Sequence, residues 1–434
     1  MSKLTCVVSS PVDTLSGYGS RARDLAKALI RIKGSEWDIK FISQRWGNCP
    51  FGALDENDPE EKDIKSRILP PGPITSQPDI WIQHTVSNEF QPVGKVNIGV
   101  SALTESNILP ADMLEGLNQM NFNIVSSNYV KDTALKTTYQ KTDPNTNRTV
   151  NGSVTKPIEV LFEGVNTNIF KRQNESSFDL SSIKEEFCFL TVAHWLSGDQ
   201  GEDRKQLTTL IKSFLEAFKN KKQRPALILK TSLAGFSITE QERILDKIDA
   251  IRKTVVGDTP NIYFLHGELS NAEMNELYNH PKVKAFALVG NEGFGRPYLE
   301  FSAASSKPLI ASPFSGHTDF LHKEYNLFVS GKIEQVHASA VTQFVIKESS
   351  WFKADQADLS KSFDDMYKNY NKYIDMGKRQ GHLSRTQFSL DKMVVALAGI
   401  LETNVPKISK PVPIVLPSLA NIKKPEVEYL EEVK

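Results

Sequence analysis

Twelve short runs of apolar and β-branched residues, spaced by segments of helical periodicity, constrain this chain more than any other feature. The first half offers "LTCVVSS", "IKFIS", "DIWIQHT", "VNIGVSAL", "FNIVSSN" and "IEVLFEG"; the second offers "FCFLTVA", "ALILKTS", "IYFLHG", "KAFALVG", "PLIAS" and "NLFVSG". Helical patterns such as "RARDLAKALIRI" and "QLTTLIKSFLEAFKN" lie between them. In the latter, Leu207, Leu210, Ile211, Phe214 and Phe218 share one face. Near-continuous apolar strands alternating with helices imply parallel sheets covered on both faces. Twelve strands are many for one such sheet, so the pattern predicts two doubly wound, Rossmann-like α/β domains of six strands each.

The 434 residues suit two or three domains at about 100–200 residues each. The polar, serine-rich stretch 171–186 separates the halves and reads as a linker. The expected layout is a first domain over 1–170, a second over 187–382, a helix over 383–404 crossing back to the first, and an extended or disordered tail over 405–434. "QKTDPNTNRTVNGSVTK" reads as a surface loop of the first domain. Lys plus Arg equal Asp plus Glu, which argues against a protein that coats nucleic acid. Cys6, Cys49 and Cys188 are odd in number and far apart, which predicts a reduced, cytoplasmic setting. No run is long enough for a secretory signal or a membrane span.

Open α/β sheets bind ligands outside the carboxyl ends of their strands, so residues just after each run are the candidates. "GNEGFG" follows "KAFALV" and precedes a helix-like "RPYLEFSAAS", with Pro297 suited to its first turn. Gly293 and Gly295 admit an anion to the backbone at a helix N-terminus. Glu300, placed in the first turn, suits a vicinal diol such as ribose, and Glu292 lies on the loop before it. Arg204 and Lys205 sit where a helix begins, a position that disfavours cations unless an anion is bound there. Lys230 ends "ALILK" and His84 ends "DIWIQH".

Together, "EGFGRPYLEFSAASSKPLIASPFSGHTDFL", "SGYGSRARDLAKAL", "DIWIQHT", "FNIVSSNYVKDTALK" and "IEVLFEGVNTNIF" resemble the retaining glycosyltransferases of the two-Rossmann, GT-B architecture, family 4 in particular. The resemblance covers most of residues 5–400. It implies that Glu292, Lys205, Arg204 and His84 form the catalytic group. It implies donor contacts from Gly17, Gly19, Lys230, Gly293, Phe294, Gly295, Glu300, Gly316, His317 and Thr318, and acceptor contacts from Glu105 and Arg21. Departures are Gln206, where the family has glycine after the lysine; Arg296, where an apolar residue is usual; and Asp319, one methylene shorter than the usual acid.

The implied reaction moves a hexose or pentose from a nucleoside diphosphate to an acceptor hydroxyl, with retention. The donor is a co-substrate, and no cofactor is called for. No metal-binding spacing of acids, histidines or cysteines is present, so cations and helix N-termini are expected to serve the diphosphate. A non-catalytic nucleotide-sugar-binding module is the alternative, since fold does not fix function. A dinucleotide oxidoreductase fits poorly: "SGYGSRARDL" is not Gly-x-Gly-x-x-Gly. The acceptor stays open among polysaccharide, lipid-linked glycan, protein and modified DNA base; nucleic acid enters only as acceptor.

Overall fold

A computed structural model describes residues 3–142, 147–195, 198, 201–233 and 236–408. The first six runs form β1 (Leu4–Ser10), β2 (Trp37–Ser43), β3 (Ile80–His84), β4 (Val96–Ser101), β5 (Phe122–Val125) and, beyond a ribbon of β6 (Tyr139–Thr142) and β7 (Thr149–Gly152), β8 (Ile158–Val160). They make one parallel sheet in the order β2-β1-β3-β4-β5-β8. Helices α1 (Gly17–Lys33), α2 (Pro59–Ser66), α3 (Ala111–Gln119) and α4 (Asn128–Lys136) connect it.

The other six runs form β9 (Cys188–His194), β10 (Ala226–Ser232), β11 (Ile262–Leu265), β12 (Val283–Ala287), β13 (Leu309–Ala311) and β14 (Leu327–Phe328). Their order is β11-β10-β9-β12-β13-β14, again all parallel. Between them run α5 (Leu207–Phe218), α6 (Ile238–Lys253), α7 (Asn271–Asn279) and α8 (Arg296–Ser305). An antiparallel pair, β15 (Gly331–Gln335) with β16 (Ser350–Ala354), follows, then α9 (Gln356–Lys368), α10 (Tyr370–Gln387) and α11 (Leu390–Asn404).

Strand order reverses between β1 and β3 in one sheet and between β9 and β12 in the other. Each reversal opens a crevice at the carboxyl ends, where ligands of such sheets bind. The elements hold because their apolar faces are buried. All five predicted face residues of α5 are fully covered, each contributing about 1.5–3 kcal/mol relative to exposure.

Three details differ from the sequence reading. The stretch 171–186 is packed rather than a free linker: Leu180 and Ile183 are buried in the second core, and the backbone of Lys171 and Gln173 donates to Asn275 and Asn279 of α7 at 3.1 and 3.0 Å. The single helix expected over 383–404 is interrupted. α10 ends at Gln387, and Ser389 caps α11, accepting from the Lys392 amide at 3.3 Å. Leu390, Met393, Leu397 and Leu401 of α11 join the first core. The surface loop before β8 contains the β6–β7 ribbon, a pairing that its polar residues did not signal. From residue 409 on, the expected tail lies outside the described residues. Among the described residues, no helix is long and apolar enough to cross a membrane.

Candidate active site

The turn after β12 carries Glu292, and the loop before α5 carries Arg204 and Lys205. They meet. Lys205 Nζ lies 2.5 Å from Glu292 Oε1 and donates to the Asn291 carbonyl at 3.4 Å. Both side chains are nearly buried. Burial pushes the Lys205 pKa down, and Glu292 opposes the shift. Arg204 pairs with Glu105, which stands in the first domain, so this ion pair bridges the two sheets' domains.

Gln206 explains its own departure from glycine. Its backbone is left-handed, with φ at 52°, a conformation that disfavours side chains by about 1–2 kcal/mol. Its amide compensates. Nε2 donates to the Phe352 and Val289 carbonyls at 2.7 and 3.2 Å, and Oε1 accepts from the Ala354 amide at 2.9 Å. The side chain thus fastens the cation loop to β16. Asp203, not either cation, serves the helix start, its carboxylate accepting from the Leu207 amide at 3.0 Å.

Glu300 is displaced from its expected place. Gly295, with φ at 98°, is the N-cap, so α8 begins at Arg296 and Glu300 is its fifth residue, in the second turn rather than the first. There it accepts from Arg296 Nε at 2.6 Å. Arg296 does not face outward. It also reaches Asp24 of α1 at 2.6 Å and Glu163 at 3.7 Å, both in the first domain. Arg21 joins from α1, pairing with Glu163 at 3.4 Å and donating to the Leu161 carbonyl at 2.9 Å. Arg21 is therefore buried and engaged.

The glycines mainly allow close approach. Gly293 O accepts from the Ser126 and Ser127 hydroxyls of the first domain at 3.1 and 2.8 Å. Gly316 donates to the Glu292 carbonyl at 2.8 Å, and a Cβ there would fall 1.9 Å from Gly293 O. Phe294 is buried against Phe320. His317 is fully buried, its Nε2 2.7 Å from the Ser312 carbonyl and its ring tilted on Tyr298; burial lowers its pKa to about 4. Thr318 donates to the Ser315 carbonyl at 2.7 Å. Asp319 accepts from the Asn128 amide at 2.7 Å, another bridge between the domains. Gly17 and Gly19 do not cap α1; Ser16 does, accepting from the Gly19 amide at 2.9 Å.

His84 is fully buried at the end of β3, and neither ring nitrogen has a hydrogen-bond partner among the described residues. Burial, then Arg21, holds its pKa well down, so the ring is neutral. Lys230 does not join Lys205. It donates to the Gly267 carbonyl at 2.6 Å, beside the Phe236 ring. The sequence reading missed His194, which ends β9 just as His84 ends β3. Its Nδ1 is 2.9 Å from Ser232 Oγ, and its pKa is lowered by desolvation and by the nearby Lys205, Lys230 and Arg204 charges, although the side chain keeps a solvent-exposed edge. The strand-end rule that selected His84 would have found it.

Neither a protein-family model nor a curated protein matches the sequence. Solved structures do match in fold. HepE of Anabaena, in complex with UDP and glucose, is 11% identical at a TM-score of 0.58, over 92% of this chain and 100% of that one. A glycosyltransferase from Rickettsia africae is 13% identical at 0.59, over 94% and 100%. Sucrose-phosphate synthase from Thermosynechococcus elongatus is 14% identical at 0.61, over 92% and 99%. The chain shares with them the GT-B arrangement of two parallel-sheet α/β domains.

Proposed function

We propose that this chain is a glycosyltransferase that moves a sugar from a nucleoside diphosphate to an acceptor hydroxyl with retention and without a metal. The observation that carries the reading is the buried Lys205–Glu292 pair at the crevice of the second sheet, with Arg204 beside it. The neutral, unpartnered His84 stands at the crevice of the first sheet. As the glycosidic bond breaks, negative charge grows on the departing diphosphate, and fixed cations in a dry site stabilise it. Lys205 then exchanges its carboxylate for the phosphate, freeing Glu292 to accept from a sugar hydroxyl. His84 offers one donor and one acceptor to the sugar from the other domain. Glu300, oriented by Arg296 through one oxygen, presents the other to the ribose.

The neighbouring HepE structure holds UDP and glucose, which supports a uridine nucleotide and a hexose as the first donor to try. The test is release of nucleoside diphosphate from a panel of UDP-, GDP- and ADP-sugars in excess chelator, with the product anomer read by NMR. Turnover with retention is expected. Turnover only after a divalent ion is restored would overturn metal independence. Tight binding of a nucleotide sugar with no turnover under any condition would establish a binding module instead.

A further inference from the structure

The geometry points to a carbohydrate acceptor whose sugar ring lies on Trp46, in the loop that follows β2. This inference rests on the transferase reading and names the acceptor class for it. Trp46 stacks on Tyr18, ring centroids 3.9 Å apart and planes 21° apart, and Tyr18 stacks in turn on His84 at 5.2 Å and 27°. A continuous aromatic stack therefore leads from the loop to the strand end where the donor sugar is placed. Tyr18 is fixed as well as stacked, since its hydroxyl accepts from the Ala102 amide at 3.1 Å.

The stack is preorganised. The loop carrying Trp46 is laced to the segment before α1. The Gln44 amide donates to the Ser10 carbonyl at 2.9 Å, Leu15 to Pro50 at 3.0 Å, and Ala53 to Asp13 at 3.2 Å. A rigid plate loses little freedom when a ligand lands on it.

Its surroundings are those of a sugar site. Of the five tryptophans, Trp37, Trp81, Trp195 and Trp351 are buried and Trp46 alone is not. Next to Tyr18 in the chain, Gly17 is exposed, and the space where its side chain would stand is open. Arg45 and Asn48 stand on either side of Trp46 in the loop sequence, exposed and without a hydrogen-bond or ion-pair partner among the described residues. A sugar ring has an apolar face of C–H groups for the indole and a rim of hydroxyls for such polar neighbours. A nucleic-acid acceptor could also stack, but its phosphates need cations. Arg45 is the one cation between Gln44 and Leu54, and Lys27, Arg31, Lys65 and Arg67 are each already paired with carboxylates of the next segment, 55–63.

Because Trp46 is the sole accessible tryptophan, acrylamide quenching of tryptophan emission reports on it in the wild-type chain. The probes are methyl glucosides, galactosides, mannosides and N-acetylglucosaminides, their disaccharides, and a single-stranded oligodeoxynucleotide, each with and without UDP. At least one glycoside is expected to shield the quenchable component. Trp46→Phe should keep most of the glycoside affinity measured by calorimetry, and Trp46→Ala should lose at least about ten-fold. Shielding by the oligonucleotide and by no glycoside would overturn the carbohydrate assignment in favour of nucleic acid. Normal donor hydrolysis with no shielding by any probe would remove the plate and leave the transferase. Shielding by a glycoside in a chain that binds no nucleotide sugar would do the reverse.

Discussion

Around Lys205 each cation has one carboxylate: Lys205 holds Glu292 and Arg204 holds Glu105. Around Arg296 one guanidinium holds three, Glu300, Asp24 and Glu163, with Arg21 sharing the last. Both clusters bridge the two domains, yet their electrostatics run in opposite directions. Burial lowers the Lys205 pKa, so its charge is weakly held and gains from an arriving anion. Burial also works against the Arg296 charge, but the three carboxylates outweigh it and the pKa rises. Burial raises the pKa of Glu163 and Glu300, with the arginines opposing it. One cluster is poised to change partners; the other is a fastening. The difference separates an exchangeable site from a cluster that is mainly a joint, of which only Glu300 is assigned a ligand contact.

The largest effect should come from the fastening. Arg296→Leu, which installs an apolar residue there, leaves the nearly buried Asp24 and Glu300 without their cation and Glu163 with Arg21 alone, and should destabilise the fold by about 3–5 kcal/mol. A loss below about 1 kcal/mol in urea unfolding would show that Arg296 is as exchangeable as Lys205. Next is Lys205→Ala, expected to raise the barrier by about 2.7–4 kcal/mol and cut turnover at least about a hundred-fold. Lys205→Arg should recover only part, since a planar fork does not replace a point charge. Lys230→Ala should cost less than about ten-fold. Steady-state kinetics decide, and collapse in Lys230→Ala with normal turnover in Lys205→Ala would transfer the role.

The pH dependence of stability comes third. His317 has a folded pKa of about 4 against an ordinary 6.5. The unfolded chain therefore binds the proton first, and stability falls as pH drops from about 6.5 toward 4. At about 1.36 kcal/mol per unit, His317 contributes roughly 3 kcal/mol to that loss. Buried, neutral His84 adds in the same direction, while Glu163 and Glu300, held above their ordinary pKa, work against it. Urea titrations at pH 6.5 and 4 should show a shallower drop in His317→Asn than in the wild type; equal drops would remove the assignment. The smallest effect expected is on donor affinity. Glu300→Ala should weaken it by about 1.5–3 kcal/mol through the lost ribose bond. Unchanged affinity by calorimetry would leave Glu300 wholly to the joint.

The strands were legible because parallel strands buried on both faces must be apolar almost throughout, and all twelve formed. The meeting of Glu292 with Lys205 was also within reach, because strand ends converge at the crevice of such a sheet. Arg296 was not readable. Its partners Asp24 and Glu163 are distant in sequence, and only the facing of the two domains brings them to it. Glu300 falls just past the first turn because the left-handed Gly295 caps the helix and starts it at Arg296, with Pro297 in the first turn as read. The Trp46–Tyr18–His84 stack joins three separate segments of the first domain, and no spacing along the chain announces it.

The two passages of chain between the domains have a mechanical consequence. The outgoing one contains Val165 and the returning one Phe388–Leu390, and they are paired. The Val165 amide donates to the Phe388 carbonyl at 2.9 Å, and the Leu390 amide to the Val165 carbonyl at 2.8 Å. The molecule thus has a two-ply spine at this crossing, while serines, one aspartate and the Arg204–Glu105 pair join the domains elsewhere. Sliding one half past the other would shear the paired backbone; swinging about it leaves those bonds whole. Of the two, a slide is the motion these bonds resist and a rotation past Val165 is the one they permit.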